Sequence, residues 1–82
     1  MDMSVWLYER TLENLRIELD RFERLSFEKQ DDFQRATRRG AISEARQYRK
    51  EQLLIDEKIR LLTREFILTQ RKLQAWRENK ER

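Results

Sequence analysis

The chain has 82 residues, of which 43% are charged, with 19 Lys and Arg against 16 Asp and Glu. This length allows one domain at most and no deep core. The lack of histidine and cysteine excludes disulfides and thiolate chemistry and leaves little means of holding a metal. With no proline and a single glycine, the composition suits long solvated helices and not sheets.

The N-terminal Met1-Asp2-Met3-Ser4 lacks a basic leader region, and Glu9 and Arg10 break any apolar run. No segment approaches the length needed to span a bilayer, so a cytoplasmic protein without membrane contact is expected.

Helix one is expected from about residue 4 to 39, with Ser4 as its N-cap. Val5, Tyr8, Leu12, Leu15, Leu19, Phe22, Ser26, Lys29, Phe33 and Ala36 step by three and four, the narrow a/d rhythm of a coiled-coil seam. So much charge also suits disorder, but a disordered chain has no reason to keep apolar residues in register. Outside the stripe, Asp20 precedes Arg24 and Asp31 precedes Arg35 by four residues, a spacing that supports helix through ion pairs.

The turn is expected over residues 40–43. Gly40 suits the left-handed position that ends a helix, and Ser43 is the expected cap of helix two, with Glu44 at its positive end. Positive charge concentrates here. Residues 35–50 carry Arg35, Arg38, Arg39, Arg46, Arg49 and Lys50 against Glu44 alone, whereas residues 1–34 carry nine acidic and five basic side chains. Helix termination accounts for part of this cluster, and contact with a phosphate backbone or an acidic protein surface is the functional alternative.

Helix two is expected from about residue 43 to 78. The rhythm resumes at Ala45, Tyr48, Gln52, Ile55, Ile59, Leu62, Phe66, Thr69, Leu73 and Trp76. Pairing positions whose numbers sum to 81 sets Val5 opposite Trp76, Leu19 opposite Leu62 and Phe33 opposite Tyr48, with the symmetry point beside Gly40. The predicted fold is all-α: two long helices in an antiparallel coiled-coil hairpin, a single domain over 1–82. Two central layers are polar, with Lys29 facing Gln52 and Ser26 facing Ile55. Such groups commonly fix register, and Lys29 is expected to snorkel outward with Gln52 meeting its ammonium or water. Trp6, Leu7 and Trp76 are expected to close the open tip.

Helix two carries more apolar surface than one seam requires. Leu54, Leu61, Leu68 and Ala75 recur every seven residues at heptad position c, beside Leu53 and Ile67 at position b. A lone hairpin leaves this second ridge in water, which marks it for covering by a helical protein partner or a second copy that completes a bundle. Leu54, Leu61, Leu68, Leu53 and Ile67 are therefore the candidate partner-binding residues. No catalytic, cofactor-binding or metal-ligating constellation is present, and the chain reads as no enzyme.

Ala36, Gly40, Glu44, Ala45, Tyr48 and Arg49 resemble the turn of the UVR-type helical hairpin, over residues 36 to about 55, although Lys50 stands where that pattern has an acid. In size and layout the chain is also similar to the hairpin co-chaperones that hold needle subunits of type III secretion systems, and to the hairpin stalk proteins of those machines. Each resemblance implies docking of a protein along a helical face. The expected function is a non-enzymatic interaction module: an adaptor, an assembly chaperone or a small regulator. The alternative is a basic hairpin dimer that binds RNA or DNA through Arg35, Arg38, Arg39, Arg46, Arg49 and Lys50.

Overall fold

The computed structural model describes residues 3–81. The reading of Met1 and Asp2 lies outside them. Two helices make up the fold, α1 (Met3–Arg38) and α2 (Ile42–Glu81), packed on each other as a helical hairpin 63 Å long and only 15 and 12 Å across. Both helices are long because nothing interrupts them. Neither proline nor glycine falls inside either one, and each keeps its apolar stripe in phase from end to end.

All ten expected seam positions of α1 and all ten of α2 are buried or half-buried. The best-covered apolar side chains are Leu15, Ala36, Ala45, Leu62 and Leu73, spread along the length of the hairpin. The core is thin, since no large side chain among the described residues is completely sealed from water. Cross-helix contacts run from one end to the other. Arg77 donates to Glu9 at 2.9 Å far from the turn, Ser26 meets Asp56 midway, and Lys29 meets Glu51 at 2.8 Å nearer the turn. The central two pairs each lie one residue from the expected register.

The turn is tighter than expected. Gly40 has φ +74°, the Gly40 N–H donates to the Thr37 carbonyl at 3.1 Å, and the Ala41 N–H donates to the Ala36 carbonyl at 2.9 Å. These two bonds form a Schellman motif, which satisfies carbonyls that the end of α1 would otherwise leave open. The motif tucks Ala41 toward the completely buried Ala36, and helix resumes at once. The Ala41 carbonyl accepts from Ala45 N–H at 2.9 Å, so Ala41 holds the N-cap position of α2. Ser43 lies within the first turn, which corrects its expected capping role. α1 is already helical at Met3, one residue before Ser4.

Gly40→Ala is expected to cost about 1 kcal/mol, because a side chain disfavours positive φ. A Cβ there would meet nothing within 4 Å, so the cost is purely conformational. A denaturant midpoint equal to that of the wild type would contradict this account of the turn.

Candidate functional site

The two surfaces singled out by the sequence lie in different places. Leu54, Leu61 and Leu68 of the c row are 67%, 56% and 45% exposed, and Leu53 and Ile67 of the b row are 56% and 42% exposed. Among the described residues α1 leaves this face largely open, because it packs on the other side of α2. Seven residues of helix rise about 10 Å, so leucines of one row do not touch each other. Glu57 and Lys58 stand between Leu54 and Leu61, and Arg64 and Glu65 between Leu61 and Leu68. The ridge is therefore a line of leucines interleaved with charge, and not an unbroken apolar strip. Around Ile67 and Leu68 the surface forms a shallow depression completed by Arg60, Thr63, Arg64 and Arg71.

At the turn, part of the arginine cluster is occupied within the chain. Arg35 pairs with Asp31 at 2.9 Å, and Arg39 reaches across the turn to Glu44 at 3.1 Å. Arg49 donates to Gln52 at 3.2 Å, with its guanidinium 5.8 Å from the centre of the Phe33 ring. Arg38, Arg46 and Lys50 are exposed and form no ion pair among the described residues. All six basic residues face solvent, three of them with partners within the chain and three with no ion pair among the described residues.

The polar waist differs from expectation in its partners. Lys29 does not meet Gln52. Its ammonium lies 2.8 Å from Glu51 Oε2 and 5.6 Å from the centre of the Tyr48 ring, while Gln52, only 6% exposed, accepts from Arg49. A titratable neighbour, Glu51, therefore stands beside Lys29 in place of Gln52. The reason is geometric: Glu51 flanks the seam position of Gln52 and has the reach to meet the emerging lysine stem. Gln47 Nε2 donates to Glu51 Oε1 at 3.1 Å and holds the carboxylate in place.

The hydrogen bond to Glu51 raises the pKa of Lys29 above its ordinary value, against a desolvation that lowers it. The same bond, followed by that from Gln47, lowers Glu51 below the usual carboxylate value. Both shifts favour the charged forms, the behaviour of a structural ion pair and not of a proton-transfer group. For Glu51 the stabilisation is present above its unfolded pKa and is lost as pH falls through the lowered value. For Lys29 it is present below the unfolded pKa and is lost as pH rises through the raised value. Glu51→Gln is expected to flatten part of the loss of thermal stability between neutral and acidic pH. An acid profile identical to that of the wild type would show that the pair contributes nothing.

At the open tip, Trp6 and Leu7 are exposed, with the Arg10 guanidinium 5.9 Å from the centre of the Trp6 ring, while Trp76 is half-buried. Trp6 and Leu7 thus add apolar surface at that end instead of sealing it. Among the described residues no group of acids is placed to hold a metal ion, and no helix is long and apolar enough to cross a membrane. Comparison with protein-family models, with curated proteins and with solved structures finds no match, so the resemblance of the turn to the UVR-type hairpin rests on its motif residues alone.

Proposed function

We propose that this chain is an antiparallel coiled-coil hairpin acting as a non-enzymatic protein–protein interaction module, an adaptor, assembly chaperone or small regulator that docks a helical partner along α2. The observation that carries this reading is the exposure of Leu54, Leu61 and Leu68 on a helix whose other face is already committed to the seam. Large apolar side chains of α2 are thus left in water outside the seam. At about 25 cal/mol per Å² of apolar surface, covering the ridge contributes several kcal/mol, a large share of the stability of so small a fold. A partner that adds a third helix, or a pair of helices, converts the thin core into a bundle.

The test uses the purified chain and its Leu54→Glu/Leu61→Glu variant as paired affinity baits. A helical protein retained by the wild type and lost from the variant supports the reading. Retention by both baits, with both still helical, contradicts it.

A second reading is favoured by one observation, the exposure of Arg38, Arg46 and Lys50 with no ion pair to any of them among the described residues. In that reading a dimer of hairpins lays its turns on an RNA or DNA backbone. Phosphate contacts require affinity to fall steeply with salt, and replacing these three residues with glutamine is expected to abolish it. Affinity that survives both treatments removes the electrostatic reading.

A further inference from the structure

The exposed face of α2 is selective as well as apolar. Between Glu57 and Lys72 it carries Lys58, Arg60, Arg64, Arg71 and Lys72 against Glu57 and Glu65. Arg60 is tied to Glu57 at 3.0 Å, but Lys58, Arg64, Arg71 and Lys72 form no ion pair among the described residues. Successive residues turn by about 100°, which places Arg64 and Arg71 between the c row of Leu61 and Leu68 and the b row of Ile67. The depression there is lined by Ile67 and Leu68, with Arg64 and Arg71 on the line between them and Arg60 and Thr63 beside it.

From this arrangement we infer that the partner docked on α2 is an acidic amphipathic helix of another protein, whose apolar residues cover Leu61, Ile67 and Leu68 and whose flanking Asp or Glu residues pair with Arg64 and Arg71. The inference rests on the docking reading above and names the chemistry of its partner. Any occupant that buries Leu68 also dehydrates the guanidinium groups beside it. That loss is offset only where carboxylates meet them, and arginine forms such pairs in a planar, bidentate geometry. Helix-in-groove recognition supplies both elements from one surface, apolar anchors at helical spacing and charges alongside.

Other occupants fit less well. Two copies meeting through the same face would set Arg64, Arg71 and Lys72 against their own kind. Insertion into an anionic bilayer suits an unbroken apolar stripe with cations at its margins, whereas here two arginines lie within the face and would be carried toward the acyl chains. Nucleic acid would pair the cations but leave Leu61, Ile67 and Leu68 without an apolar counterpart, and no aromatic ring stands among them for a base to stack on.

The experiment measures binding of the full chain to two synthetic amphipathic helices that share one Leu/Ile stripe, one flanked by Glu and one by Lys, and to vesicles of phosphatidylcholine and phosphatidylserine. The Glu-flanked helix is expected to bind at least about tenfold more tightly than the Lys-flanked one. Arg64→Glu/Arg71→Glu, at exposed positions off the seam, is expected to reverse that order with helicity unchanged. Equal binding of the two peptides, an order unmoved by the arginine variant, or tighter association with the vesicles than with the Glu-flanked helix overturns the inference. Adding Leu61→Glu/Leu68→Glu separates the two levels. If that variant abolishes an unselective binding, the docking face stands and the acidic preference falls. If the leucine variant binds the peptides as well as the wild type, the docking face falls too.

Discussion

Replacing Leu62 with glutamate is expected to unfold the hairpin. Leu62 is 5% exposed and lies at the centre of the seam of α2, where a carboxylate finds no water and no partner designed for it. Burying an uncompensated charge while losing the leucine costs about 4 kcal/mol or more. At about 0.05–0.15 kcal/mol per residue, the whole chain has a stability of only about 4–12 kcal/mol. A single substitution thus removes at least about a third of it and, at the lower end of that range, all of it. Circular dichroism at ambient temperature should show helix lost, or a melting transition too low to complete. Leu54→Glu, eight residues away on the exposed face, should leave the signal close to that of the wild type. If both variants melt alike, the division of α2 into a folding face and an exposed face is wrong.

The second large effect concerns register. Phe33 and Tyr48 form an expected layer near the turn, and both are half-buried. Arg49 over the Phe33 ring and Lys29 over the Tyr48 ring place these side chains beside the opposite helix. Cysteines at these two positions are expected to oxidise to an intramolecular disulfide at low protein concentration. Cysteines at Phe33 and Leu62 are not, because Leu62 lies fourteen residues beyond Tyr48, about 20 Å farther along α2. A bridge in the second pair, or only intermolecular bridges in the first, would mean that the two helices pair in another register or direction.

The seam was legible in the sequence because a coiled-coil stripe is a local signal. Its spacing alone picked out positions from Val5 to Trp76 that are all withdrawn from solvent, polar Ser26, Lys29, Gln52 and Thr69 included. Thr69 keeps its place by satisfying its hydroxyl on the Glu65 carbonyl at 2.9 Å within its own helix. Gly40 was legible for the same reason: one residue type tolerates the conformation needed there. The exact cap was not, since Ser43 fits an N-cap by residue type, and only the Schellman bonds from Gly40 and Ala41 bring the start of α2 forward past it.

Partner choice at the waist was also hidden. Layer pairing matches seam positions across the interface, whereas long polar side chains leave their layer and bond to flanking residues. Ser26 therefore finds Asp56 and not Ile55, and Lys29 finds Glu51 and not Gln52. The candidate docking face shows a similar division. The heptad spacing of Leu54, Leu61 and Leu68 was visible at once, but the arginines among them do not share that row: Arg60 stands in the row of Ile67, Arg64 and Arg71 in the row between, and they come together only around the helix.

The claim that the leucine ridge docks a partner is tested most directly by thiol footprinting of that ridge. The natural chain has no cysteine, so Leu61→Cys and, as a control at the exposed end of α1, Arg38→Cys each provide one reporter thiol. Both are expected to react rapidly with a maleimide in the isolated hairpin. In complex with the helical protein retained by the wild-type chain, the thiol at position 61 is expected to react much more slowly, and the thiol at position 38 to keep its rate. Equal reactivity at position 61 in the free and bound chain, with the complex intact, would contradict the account.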